Sequence, residues 1–235
     1  MKKIKYPLSW TKNNFSIKIF CSIPNIATGI LLKTGDDFSV IDPGDGILRD
    51  LTNELSVEQI INISNVFITH GHHDHVGGLW SLLTYFRVMN KKTDIRIHYP
   101  DGCIEIEHIY KAFLRVYKTT LNYKIILNPI KKQKVIKSKN LIIKPFEVIH
   151  KEIISNTKRQ VPALGFNFYF NNMNICYGGD TAFCESLVKN AKNADLAVIE
   201  AGHGENQSDD MHMSFAEATS IGKLAKEFFL VHVPE

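Results

Sequence analysis

The sequence holds only four cysteines, Cys21, Cys103, Cys176 and Cys184, and no two of them form a C-x-x-C pair. Zinc knuckles and disulfide frameworks need regular spacings, so these thiols are expected as buried and reduced. Long hydrophobic runs are missing too, since no segment approaches the roughly 20 apolar residues of a membrane helix. The basic opening, Met1 to Trp10, leads into apolar residues interrupted by Lys12, Asn13, Asn14 and Lys18, a poor secretion signal. The expectation is a cytoplasmic protein with no membrane contact. No repeat, low-complexity tract or Gly/Ser linker divides the chain, which leaves a single domain over residues 1–235 as the expected organisation.

What is present is the composition of an ordinary globular protein: 44% apolar and 22% charged residues exclude a disordered or fibrous chain. A formal charge of +4 suits an anionic substrate but is too small to indicate nucleic-acid binding by itself. Short β-rich runs come first, at Phe15 to Ile23, Gly29 to Leu32 and Phe38 to Ile41, the last ending in the turn former Asp42-Pro43-Gly44. They read as successive antiparallel strands. A buried strand at Val66 to Thr69 precedes a helix over Val76 to Met89, and Ile106, Ile109, Tyr110 and Phe113 mark an amphipathic helix over Ile104 to Val116. Further strands are predicted at Leu141 to Ile149, Leu164 to Phe170, Met173 to Tyr177, Leu196 to Glu200 and Phe229 to Val233. Helices are predicted at Ala182 to Ala191 and Ser214 to Phe228. Strands interleaved with helices in both halves favour an α/β protein built as two packed sheets with helices outside them.

Chemistry concentrates in His70-Gly71-His72-His73-Asp74-His75-Val76-Gly77-Gly78, directly after the strand ending at Thr69. In an extended turn, residues two apart point the same way, so His70 and His72 can share one ion. Asp74 and His75, at the start of the next helix, would face a second ion, and Gly71 with the Gly77-Gly78 pair lets the backbone turn closely around both. A polar surface loop is the bland alternative. Three histidines and an aspartate wedged between a buried strand and a helix argue against it.

This H-x-H-x-D-H order after a strand resembles the signature of the metallo-β-lactamase superfamily, and the resemblance covers the chain from Phe15 onward. It implies an αββα sandwich of two mixed β-sheets flanked by helices. It also implies His150, at the end of the strand Leu141 to Ile149, as the third ligand of the first metal. Tyr177-Gly178-Gly179-Asp180-Thr181 resembles the family's G-D-T motif and implies Asp180 as a bridging carboxylate, and Leu230-Val231-His232 supplies the last histidine. The ligand set implied is His70, His72 and His150 on one ion, Asp74, His75 and His232 on the other, with Asp180 between them. Nitrogen and oxygen donors alone suit two zinc ions, and manganese or iron accept the same set. Two such ions would turn a bound water into the nucleophile at neutral pH.

Within the superfamily the second half most resembles the ribonuclease Z and cyclic nucleotide phosphodiesterase branch. The matching stretches are Ala163-Leu164-Gly165-Phe166, Asp195 to Ala201, His212-Met213-Ser214 and Val231-His232. That branch implies His212, backed by Glu200, as the group that protonates the leaving oxygen; Asp74 is expected to orient the nucleophile or to take its proton. Two departures stand out: the glycine-rich opening of ribonuclease Z is missing, and only the 29 residues 151–179 lie between His150 and Asp180. That interval is too short for the long arm with which ribonuclease Z grips transfer RNA. A dinuclear zinc phosphodiesterase for small phosphodiesters or nucleotides is therefore expected, with RNA as a further candidate substrate and a second copy of the chain as a candidate partner.

Competing readings remain open on residues. Ala201-Gly202-His203-Gly204 resembles the ligand turn of lactonase relatives, and His203 as ligand would favour a lactone, thioester or β-lactam hydrolase. His73, His98 and His108 read as structural or solvated. The span Ile104 to Lys139, with Tyr110, Phe113 and Tyr117, is either a base-stacking wall or ordinary core.

Overall fold

The computed structural model describes residues 4–22, 27–131, 134–204 and 209–234. They form two compact units, residues 5–129 and residues 130 onward. The first runs β1 (Leu8–Lys12), β2 (Phe15–Ile19), β3 (Ile30–Thr34), β4 (Asp37–Ile41), α1 (Ile47–Glu54), α2 (Val57–Ile61), β5 (Asn65–Phe67), α3 (His73–Val76), α4 (Leu79–Val88), β6 (Ile95–Pro100), α5 (Ile104–Tyr117) and β7 (Ile125–Ile130). Its seven-stranded sheet keeps chain order, β1 to β7, antiparallel from β1 to β4 and parallel across β4, β5 and β6. Period-two alternation explains β2, where Phe15, Ile17 and Ile19 are buried, whereas β5 is buried throughout, as a central parallel strand must be. Helix α4 turns Leu79, Leu82, Leu83 and Phe86 into the core, where Phe113 of α5 and Ile97 of β6 join them. Each such side chain contributes about 1.5–3 kcal/mol by leaving water.

The second unit runs β8 (Ile136–Ser138), β9 (Leu141–Glu147), β10 (Lys151–Ile154), β11 (Thr157–Gln160), β12 (Leu164–Phe170), β13 (Met173–Tyr177), α6 (Glu185–Ala191), β14 (Leu196–Glu200), α7 (Phe215–Gly222) and β15 (Glu227–Val231). Its six-stranded sheet has the order β15-β14-β13-β12-β9-β8, parallel across β13, β14 and β15 and antiparallel elsewhere. Strands β10 and β11 form a separate hairpin. Leu187, Ala197, Ile199, Met213 and Ile221 build the core under α6 and α7. Among the described residues, no helix is long and apolar enough to cross a membrane.

Several boundaries differ from the sequence expectations, each for a local reason. The strand from Phe15 stops at Ile19, Cys21 already sitting at φ 44°, and Ile23 lies outside the described residues. The helix expected over Val76 to Met89 is two, α3 and α4, because Gly78 N donates to Pro43 O at 2.8 Å. The helix expected to reach Phe228 ends at Gly222, where a Cβ would lie 2.4 Å from the Phe228 ring. That close approach lets β15 start earlier, at Glu227.

Candidate metal centre

In both units the chemistry sits beyond the carboxyl ends of parallel strands, where loops leave the sheet and backbone groups are free to shape a site. In the first unit, β5 and the extended Ile68 and Thr69 deliver the histidine loop, and β4 delivers Asp42. His70 and His75 are fully buried, and their rings lie 4.1 Å apart, while His72 meets the His70 ring at 4.6 Å. Asp74 Oδ2 lies 3.2 Å from His75 Nε2. Each buried ring is held through its other nitrogen: His75 Nδ1 by Asp42 Oδ2 at 2.9 Å, His70 Nδ1 by Thr69 Oγ1 at 3.1 Å. Asp42 also accepts from Thr69 N and Thr69 Oγ1, both at 2.7 Å.

Asp42, which the sequence marks only as part of the turn Asp42-Pro43-Gly44, is the buried carboxylate that orients His75. The available signal was a carboxylate directly behind an apolar strand, a placement too costly without donors around it. Gly44 beside it cannot carry a side chain: a Cβ would lie 2.0 Å from Asp74 O and 2.1 Å from Thr28 O. The turn is thus packed against the ligand loop.

In the second unit, Asp180 follows β13, Glu200 ends β14 and His232 follows β15. His232 Nε2 lies 3.2 Å from Asp180 Oδ2, and His232 adopts φ 58°, a left-handed conformation uncommon for a non-glycine residue. His150 is buried, and its Nδ1 donates to Met211 O at 3.0 Å. Its ring meets that of His212 at 5.3 Å, and His212 meets His232 at 5.3 Å.

Glu200, nearly fully buried, is a hub. Its carboxylate accepts from Thr181 N at 3.2 Å, Met213 N at 3.1 Å and Gly202 N at 2.5 Å, and it faces His212 Nδ1 at 3.3 Å. Burial pushes the Glu200 carboxyl upward, opposed by the His212 bond. For His212, burial works against the charged ring, but the Glu200 bond together with the Glu200 and Asp180 charges outweighs it and raises its pKa. The result is a histidine inclined to keep its proton.

The remaining histidines fall out of the chemistry. His203 Nε2 pairs with Asp209 Oδ1 at 3.1 Å, His73 with Asp45 at 2.9 Å, and His108 Nδ1 donates to Ile104 O at 2.7 Å. His98 is buried between Asn65 and Asn128. The aromatic wall is largely core: Phe113 is buried, packs edge-on to Trp80 at 5.2 Å and meets Tyr117 at 4.9 Å.

Comparison with known proteins identifies the family and the fold. A family profile described as the beta-lactamase superfamily domain matches residues 39–232. The ribonuclease Z of Pyrococcus horikoshii is 24% identical over 261 residues, covering 89% of this chain and 79% of its own. Among solved structures, the metallo-beta-lactamase fold protein YhfI of Bacillus subtilis superposes with a TM-score of 0.70 at 21% identity, covering 89% of this chain and 79% of that one. The short form of human tRNase Z gives 0.69 at 23% identity, over 88% and 86%. The architecture of two large mixed sheets with helices is that of the metallo-β-lactamase fold.

Proposed function

Since the chain belongs to the beta-lactamase superfamily domain family and is a metal-dependent hydrolase, we propose that it is a dinuclear zinc phosphodiesterase acting on small phosphodiesters, cyclic nucleotides foremost. The observation that carries this reading is the pattern of Nδ1 contacts. His70, His75 and His150 each spend Nδ1 on a hydroxyl, a carboxylate or a carbonyl, which turns Nε2 into the ligand atom and fixes the ring. Metal-binding histidines are typically oriented this way. Following the superfamily's motif order, His70, His72 and His150 would hold one ion and Asp74, His75 and His232 the other, with Asp180 as the carboxylate they would share. The donors are nitrogen and oxygen throughout, which suits zinc, with manganese or iron as the alternatives.

When bound, two such ions supply a water acidified towards neutral pH and positive charge beside the phosphoryl oxygens. The chain's own residues do the rest. Asp74 would orient the attacking water through its carboxylate. His212 holds a proton on Nε2 for the leaving oxygen, and Glu200 at Nδ1 stabilises the imidazolium until the transfer. Because Thr181 and Met213 amides fix Glu200, the acid is preoriented before substrate arrives.

A second reading, a 3′ endonuclease acting on transfer RNA, is favoured by the ribonuclease Z relative that covers most of both chains. A lactone or β-lactam hydrolase is disfavoured, because His203 is engaged by Asp209. The test is metal analysis of gently purified protein with rates on bis(p-nitrophenyl) phosphate and on chromogenic lactones. About two zinc ions per chain and phosphodiester cleavage abolished by Asp180→Ala are expected. Metal-free protein, or faster turnover of lactones, would sink the proposal.

A further inference from the structure

The segment Asp209 to Met213 makes contacts that the catalytic reading does not use. Asp210 accepts from two lysines of the β10–β11 hairpin at once, Lys151 Nζ at 2.7 Å and Lys158 Nζ at 2.6 Å, one from each strand. The next residue, Met211, gives its carbonyl to His150 Nδ1 at 3.0 Å, and the one after that is His212. Asp209 closes the turn by accepting from Met211 N at 2.7 Å and His212 N at 2.9 Å. The base of the hairpin belongs to the same knot, because Val161 N donates to His150 O at 3.0 Å. Three consecutive residues therefore hold the hairpin, a candidate metal ligand and the candidate acid.

We propose that Asp210 is a positioning residue, a latch that fixes the β10–β11 hairpin to the Asp209–Met213 turn and thereby steadies His150 and His212. The hairpin needs such a latch. It belongs to neither large sheet, its residues are exposed from Glu152 to Gln160, and an isolated two-stranded hairpin is marginal in water. The two ammonium groups, Lys151 foremost, hold the Asp210 carboxyl down to about 2, so the latch is charged throughout the working range. Ile153 and Ile154, the hairpin's apolar side chains, stand exposed, so the lysine contacts are what tie strand to turn. This inference rests on the metal-ligand roles assigned above, and on the general rule that outer partners of ligating histidines tune metal retention.

The test compares wild type, Asp210→Asn and Asp210→Glu as metal-loaded protein. Hydrogen exchange of the amides of residues 151–160 and the rate of metal release to a chelator are read alongside kcat and KM. Solvent-exposed ion pairs are modest, so Asp210→Asn is expected to speed hairpin exchange by about two- to tenfold. Metal release should accelerate with it, kcat should fall more than KM changes, and Asp210→Glu should restore all three. High salt should move wild-type exchange in the same direction. Unchanged hairpin exchange and metal release in Asp210→Asn overturns the latch. Wild-type protein inert towards phosphodiesters would overturn the assigned function instead, leaving both of these readouts intact.

Discussion

At His212 the question is which proton moves. Its Nδ1 faces Glu200 and its pKa is raised, so the ring is suited to arrive at the substrate as imidazolium and to leave as imidazole. His212→Ala should therefore keep the metal content and slow turnover of a poor leaving group by about two to four orders of magnitude, the usual scale of general acid catalysis. A p-nitrophenyl leaving group needs little protonation, so its loss should be far smaller. Measuring both substrates on one preparation decides the matter, and equal losses would remove His212 from the role. The same logic explains why Glu200 is buried. An exposed carboxylate would be screened by water; burial disfavours the Glu200 charge, and three backbone amides offset that cost where the carboxylate faces the ring.

At the scale of single elements, β5 and β6 carry a polar device inside an apolar sheet. His98 of β6 is stacked on Phe67 at 4.8 Å, donates from Nε2 to Asn65 Oδ1 at 3.1 Å and accepts at Nδ1 from Asn128 Nδ2 at 2.7 Å. Burial, helped by the Arg96 charge, lowers its pKa to about 4, because protonation would add charge in the core and oppose two donors at Nδ1. The unfolded ring titrates near about 6.5, so the unfolded chain binds more protons between those values. Stability from this group is complete above the unfolded value and is lost as pH falls from there towards 4, by an amount on the order of 3 kcal/mol. Urea melts from pH 7 to pH 4 should show that slope, and His98→Gln should flatten it; an unchanged slope in the variant would assign the loss to other groups. Much at this scale was readable from residues alone. The strands Leu164–Phe170, Met173–Tyr177 and Leu196–Glu200 follow their apolar runs to the residue, and helix α5 overshoots its pattern by one. What resisted reading had a local signature that was weak or absent. Lys91 looks like a solvated lysine, yet it is fully buried and donates to Ile61 O at 2.5 Å, Ile63 O at 2.7 Å and Thr93 Oγ1 at 2.9 Å. Asp42 has the composition of a turn, yet it is fully buried and holds His75 Nδ1 at 2.9 Å. In both cases acceptors or donors distant in sequence decide the role, and no spacing rule reaches them. Strands β10 and β11 are as silent, because Lys151–Ile154 and Thr157–Gln160 have no alternating apolar face.

For the whole molecule, the decisive property is how much surface it can lay on a substrate. Between His150 and Asp180 the chain spends its residues on the β10–β11 hairpin and the two sheet strands β12 and β13. The hairpin has four residues on each side, and two of its lysines are already committed to Asp210. It has little left with which to grip a long RNA body. Affinity for such a substrate would then come from scattered lysines around a chain whose formal charge is only +4. Contacts of that kind release counterions and weaken steeply as salt rises, losing about three to five orders of magnitude between 50 and 200 mM salt when six to ten phosphates are involved. On the proposed function a cyclic nucleotide asks for less, since one phosphodiester at the site and a general acid on its leaving oxygen would already define the reaction. The expectation is that kcat/KM at physiological salt is higher for 3′,5′-cyclic nucleotides than for a 3′-extended transfer RNA. Any RNA cleavage should fade as salt is raised while cyclic nucleotide turnover holds nearly level. Competition of both substrates in one reaction, followed over a salt series, measures the ratio directly. Faster cleavage of the transfer RNA at physiological salt would show that the body of the protein binds RNA without a long arm, and the ribonuclease Z reading would then take precedence.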